Sequence, residues 1–177
     1  MIEFIFMLTR DDRTLTDARS VYASIAQSGV THVGCKDVGL PRPELQALMD
    51  DIRANGHTTH LEVVSETPEA TLASARAAAE IADDARRAES LGVDGINLLA
   101  YRYDGDVDAL VEAVVAATSL PVIAAGSVDS PARIQALAER GVWAFTIGTA
   151  ALDGKLVEGA PLEGQLRSAL DAAGAIA

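Results

Sequence analysis

Leu120-Pro121-Val122-Ile123-Ala124-Ala125-Gly126-Ser127-Val128 and, beyond a helix-like stretch from Ser130 to Arg140, Phe145-Thr146-Ile147-Gly148-Thr149-Ala150 decide how this chain reads. Each is a short apolar run that ends in glycine and a small hydroxyl residue. With a helix between them, they predict two parallel strands, each opening into a tight turn at its C-terminal end. Glycine lets the backbone approach a ligand closely, and free N–H groups at a following helix start attract an anion. Two such corners side by side make a cup for a phosphate group, with Gly126, Ser127, Gly148 and Thr149 as its candidate residues. The competing reading is that these glycines only make tight turns.

Outward from these corners, strands and helices alternate along the whole chain. The predicted strands are Glu3–Leu8, His32–Lys36, Thr58–Val64, Gly95–Leu99, Val122–Ala125 and Ala144–Ile147. The predicted helices are Thr16–Gln27, Arg42–Ala54, Pro68–Ser90, Val107–Thr118, Pro131–Arg140 and Leu162–Ala173. A weak repeat supports the units: Ser28-Gly29-Val30, Leu91-Gly92-Val93 and Arg140-Gly141-Val142 each read as helix end, glycine, valine, then strand. Glycine there supplies a left-handed helix C-cap. The expected fold is α/β, a reduced (β/α) barrel of six parallel strands and six helices in one domain spanning residues 1–177. A closed eight-stranded barrel needs at least about 200 residues, more than this chain has.

The third predicted helix suggests where the missing part lay. From Thr67 to Leu91 no turn signal follows the start, so at ~1.5 Å per residue it would run roughly 35 Å. Its apolar face also changes side. Leu72, Ala75 and Ala79 share one face, and Ile81, Ala85, Ala88 and Leu91 share a nearly opposite one. Two helices fused near Glu80–Ala82, after loss of about two βα units, would be patterned this way; a single Ala-rich helix tolerant of either face is the alternative. A six-stranded parallel sheet that stays open leaves edges that invite another chain, so a homo-oligomer, a dimer first, is expected.

The composition sets limits on partners. The net charge of −12 argues against nucleic acid and anionic membrane surfaces, though not against a phosphate ligand held by local N–H groups. The single cysteine, Cys35, forbids an intrachain disulfide and suits a cytoplasmic setting. The apolar start, Met1 to Leu8, is interrupted by Glu3 and reads as a first strand rather than a signal peptide.

The C-terminal third resembles the ribulose-phosphate-binding-type barrels, which include histidine- and tryptophan-biosynthesis barrels, thiamine-phosphate synthase and N-acetylmannosamine-6-phosphate epimerases. The shared pattern stands here as Pro121 to Val128, then Ala138-Glu139-Arg140-Gly141-Val142, then Ile147-Gly148-Thr149-Ala150. The chain looks like a shortened bacterial branch of that superfamily. The resemblance implies a phosphate-type barrel end without specifying a reaction. The pattern also occurs in flavin-dependent barrels, where the phosphate belongs to FMN; a chain this short lacks room for the flavin ring, so no cofactor is expected.

Catalytic groups on such a fold sit at the C-terminal ends of strands. Lys36 and Glu62 lie at two of these ends, and strand alternation puts Lys36 with Gly34, and Glu62 with His60, on faces that can meet. A desolvated lysine can form a Schiff base or act as a base, with Glu62 carrying protons. An ion pair at the barrel mouth is the plain alternative. Asn97, sharing a face with Leu99 and Tyr101, is placed to hydrogen-bond a substrate hydroxyl or simply to be a satisfied barrel amide. Arg10 and Arg102 follow strands and read equally as anion ligands or surface residues. His32, His57 and His60 have no metal-ligand spacing, so no metal is expected. Asp104, Asp106 and Asp108 read as helix capping and solvation rather than a calcium loop. Two functions remain open: a lyase or isomerase of a small phosphorylated sugar-like substrate using Lys36, Glu62 and Asn97, or a catalytically silent barrel remnant that keeps the fold and binds a phosphorylated molecule or inorganic phosphate.

Overall fold

A computed structural model describes residues 2–62, 86 and 95–175 of the chain. The six long strands are β1 (Glu3–Met7), β4 (His32–Lys36), β5 (Thr58–Glu62), β6 (Ile96–Leu98), β7 (Val122–Ala124) and β8 (Ala144–Ile147). They form one sheet in the order β5-β4-β1-β8-β7-β6, and a separate two-stranded hairpin joins β2 (Thr9–Arg10) to β3 (Arg13–Thr14). The described helices are α1 (Ala18–Ile25), α2 (Arg42–Ala54), α3 (Val107–Ala117), α4 (Pro131–Glu139), α5 (Thr149–Leu152) and α6 (Leu162–Gly174). This is the expected α/β class, a reduced (β/α) barrel type with six parallel strands. The hairpin and the four-residue α5 were not anticipated. The predicted long helix Pro68–Ser90, its seam and the repeat at Gly92 lie outside the described residues, Arg86 excepted.

The chain divides into two compact units. One holds residues 4–62 and 147–171, the other residues 2–3, 95–146 and 172–175. In the first, β4 lies between β5 and β1. Phe4, Ile5, Phe6 and Met7 of β1 are all buried, as a parallel strand covered on both faces requires. This strand pairs with β4 in parallel, Met7 opposite Gly34, and β4 pairs with β5, Gly34 opposite His60 and Lys36 opposite Glu62. Gly34 carries no side chain because a Cβ there would overlap the Met7 sulfur. Helix α1 buries Ala18, Tyr22 and Ile25, and α2 buries Leu45, Leu48 and Ile52, each at helical spacing on one face. Helix α1 ends at Ile25 and is capped by Ala26 in the right-handed region, so Gly29, left-handed at φ +92, turns the chain after the helix and does not cap it.

In the second unit, β6 pairs with β7 and β7 with β8, all parallel. Helix α3 buries Leu110, Val111 and Val114 and is capped by Asp106, whose carboxylate accepts from the Ala109 N–H at 3.0 Å. The reading of this acidic cluster as capping therefore holds at Asp106. Helix α4 starts at Pro131 behind Ser130, whose hydroxyl accepts from the Arg133 N–H, and buries Ile134 and Leu137. Among the described residues, no helix is long and apolar enough to cross a membrane.

Candidate functional site

Lys36 ends β4, its side chain only 9% exposed, with Nζ 2.8 Å from Asp12 Oδ1 and 3.5 Å from Glu62 Oε2. The sequence reading therefore brought Lys36 and Glu62 together correctly. It missed Asp12, the nearer carboxylate. Asp12 sits in the two-residue loop of the β2–β3 hairpin, where Arg10 pairs with Arg13 and both loop residues, Asp11 and Asp12, have positive φ (49° and 61°). Asn-Gly normally marks such a turn. Here two aspartates occupy it, between the paired residues Arg10 and Arg13.

The base of the hairpin is bolted to β4. The Thr14 hydroxyl donates to the Lys36 carbonyl at 2.7 Å and accepts from the Lys36 N–H at 2.8 Å. Gly39, at φ +109, lies so near that a Cβ would overlap the Thr14 backbone. At the hairpin's other side, Arg10 donates to the Leu152 carbonyl at 3.3 Å and pairs with Asp153 at 3.1 Å, so the structure gives Arg10 a protein partner after α5.

Gly148 and Thr149 begin α5 in this same unit. A Cβ on Gly148 would stand 2.7 Å from the Thr9 carbonyl oxygen and 3.0 Å from that of Met7. Glycine is thus required by packing, whatever ligand the corner takes. Behind it, buried Gln165 on α6 ties down the loop that follows α5. Its Oε1 accepts from the N–H groups of Leu156 (2.9 Å) and Val157 (2.8 Å), and its Nε2 donates to the carbonyls of Val157 and Ala160.

On the face shared with Lys36 and Glu62, His32 Nδ1 lies 2.9 Å from His60 Nε2. The ring centroids are 5.2 Å apart, about the N···N distance plus two ring radii, so the nitrogens point along the line of a shared proton. Burial, and then the neighbouring His32, pull His60 below its ordinary value. Cys35, on the other face of β4, is buried, and burial pushes its thiol up to about 11. Among the described residues, no group of three or more His, Cys, Asp or Glu is arranged to hold a metal ion.

The other unit carries Asn97 and the Gly126-Ser127 corner. Asn97 is exposed on β6, as is Leu99 beyond it. Gly126 (φ +77) and exposed Ser127 (φ +57) follow β7 in left-handed conformations. For serine that conformation is strained and marks a position worth explaining. A Cβ on Gly126 would lie 3.3 Å from Arg102 Nε, so this guanidinium covers the corner. Arg133 donates to the Ser127 carbonyl, pairs with Asp129 at 2.9 Å, and stacks 4.6 Å above the Tyr101 ring. It thereby holds Ser127 in its strained turn. This corner follows the C-terminal end of β7, which pairs in parallel with β8, Ala124 opposite Phe145.

No family profile and no curated protein matches the sequence. Solved structures do. A thiamine phosphate pyrophosphorylase from Pyrococcus furiosus matches over 99% of this chain and 96% of its own, with a TM-score of 0.65 and 13% identity. The (S)-3-O-geranylgeranylglyceryl phosphate synthase from Thermoplasma acidophilum, solved with its substrate sn-glycerol-1-phosphate, matches over 97% and 92%, with a TM-score of 0.66 and 12% identity. The N-acetylmannosamine-6-phosphate 2-epimerase from Clostridium perfringens matches over 96% and 92%, at 0.50 and 14%. The chain shares the fold of these structures at 12–14% identity.

Proposed function

We propose that this chain binds a small phosphorylated molecule, with the backbone N–H groups and hydroxyls of Gly126, Ser127, Gly148 and Thr149 receiving the phosphate. The observation that carries this reading is Ser127: an exposed non-glycine residue held at φ +57 beside Arg102, at the end of a strand. Backbone strain of about 1–3 kcal/mol persists where the surroundings impose it, and it clusters at ligand clamps. The phosphate esters in the neighbours' names, thiamine phosphate, N-acetylmannosamine-6-phosphate and sn-glycerol-1-phosphate, support the same class.

The finer reading is a lyase or isomerase in which Lys36 and Glu62 handle protons and Asn97 orients a hydroxyl. A second reading, phosphate binding without turnover, is favoured by Lys36 itself. Its Nζ is engaged by two carboxylates, and an amine must leave both before it attacks a carbonyl. Homo-oligomer formation belongs to the same proposal.

The test is calorimetric titration with inorganic phosphate and a small phosphomonoester. Ser127→Asp keeps a residue that tolerates the left-handed conformation while adding a charge, and Thr149→Glu adds one at the second corner. A like charge about 5 Å away costs roughly 3 kcal/mol at an effective dielectric of ~20, so the double variant binds at least tenfold more weakly. Undiminished affinity in that variant sinks the site. Turnover of a phosphorylated substrate that vanishes in Lys36→Ala selects the enzyme reading; tight binding with no turnover selects the other.

A further inference from the structure

Lys36 is a buried cation with an exposed-side carboxylate laid over it. Asp12, 46% exposed, reaches Nζ at 2.8 Å from the tip of a hairpin whose two loop residues both carry left-handed strain. The hairpin base is fixed to β4 through Thr14, while its tip carries the Asp12–Lys36 pair and Arg10's contacts with Asp153 and the Leu152 carbonyl. The Asp12 end of the pair is open to solvent while Lys36 is buried, and the tip also carries the backbone strain of two left-handed aspartates. Glu62, at 3.5 Å, stays as counter-ion on β5 when the tip moves.

We propose that Lys36 is an oxyanion subsite whose occupant in the free chain is the Asp12 carboxylate, displaced by a phosphate or carboxylate group of the ligand. Asp12 thus acts as an internal mimic of the ligand's anion, and the hairpin tip is the strap that lifts when the anion arrives. The ammonium, freed of Asp12, offers a compact positive charge with rotatable donors to the incoming oxygen atoms. This does not rest on the glycine corners.

The experiment is run in the Ser127→Asp/Thr149→Glu background, where the corners no longer take phosphate, so failure there is separate from failure of the function proposed above. Inorganic phosphate, acetate and chloride are titrated into that protein and into its Asp12→Asn, Asp12→Gly, Lys36→Met and Asp12→Asn/Lys36→Met versions. Asp12→Gly also relieves the backbone, which keeps the test valid if the asparagine variant folds poorly. Removing the competing Asp12 carboxylate tightens phosphate binding about three- to tenfold in both Asp12 variants, and Lys36→Met abolishes the gain. Amide hydrogen exchange at residues 10–13 quickens when phosphate is added to the protein with Asp12 intact. The proposal is overturned by unchanged or weaker phosphate binding in both Asp12 variants, by a gain that survives Lys36→Met, by an equal response to chloride, or by hairpin exchange indifferent to phosphate.

Discussion

Gly148→Ala separates two reasons for a glycine. Gly148 has φ −125° and ψ −86°, so no left-handed backbone is at stake. The obstacle is space: the added methyl would meet the Thr9 carbonyl oxygen at 2.7 Å, the Thr9 hydroxyl at 2.9 Å and the Met7 carbonyl oxygen at 3.0 Å. Two of the three are backbone atoms, one at the end of β1 (Met7) and one in β2 (Thr9), and they yield only if these strands or α5 move. Overpacking of this kind costs about 1–3 kcal/mol, and fixed backbone neighbours place it at the upper end. In a chain of 177 residues about 3 kcal/mol lowers Tm by roughly 6–12 °C. Gly56→Ala is the matched control: Gly56 has φ +80 with nothing within 4 Å of the new Cβ, so only the conformational penalty, about 1 kcal/mol, applies. The assay is urea unfolding followed by far-UV circular dichroism for both variants beside the parent. Thr9→Ala in the Gly148→Ala chain removes the hydroxyl contact and restores little, because the carbonyls remain. A Gly148→Ala midpoint matching the parent, or a cost no larger than that of Gly56→Ala, refutes the close approach of β1 to this corner.

Two further outcomes follow from the same structure. Gln165→Leu keeps the bulk but strips partners from two N–H groups and two carbonyls in the loop after α5; with water reaching part of that loop, stability drops by about 2–4 kcal/mol in urea unfolding, while Gln165→Glu loses less if Oε1 is the main anchor. Since His60 is held below its ordinary 6.5 in the folded chain, the unfolded chain takes up more protons in the window beneath 6.5; stability therefore falls as pH drops through that window, and His60→Gln flattens the slope of urea midpoint against pH between 7.5 and 5.5.

Strand and helix placement was legible because local signals agreed with the fold. Gly141, directly after the Arg140 cap of α4, has φ +78, the left-handed glycine that the repeated Gly-Val pattern implied; Gly29 is also left-handed (φ +92) but lies beyond α1, whose cap is Ala26 in the right-handed region. The Lys36–Glu62 approach was legible for a similar reason: parallel strands in register put residues of like parity on one face, and the two align in the β4–β5 ladder. Asp12 was not legible, because its turn lacks the Asn-Gly marker and its partner lies 24 residues away. Arg102 read as ambiguous, since nothing local says that it will cover Gly126. Gln165 read as an ordinary polar helix residue; its burial arises only once the loop at 155–160 folds back over α6. Gly148 was legible as a special position but for an incomplete reason, since packing against Thr9 demands it before any ligand does.

Cys35 has a practical consequence. It is the chain's sole cysteine, it is buried, and with its thiol near 11 the protonated form outnumbers thiolate by about ten thousand to one at pH 7. Maleimide or nitroxide reagents will therefore pass it by in the native state. A second cysteine engineered onto the hairpin tip or beside the serine corner becomes the one addressable thiol, and spin or fluorescence labels report from that point without stripping Cys35 from the interior.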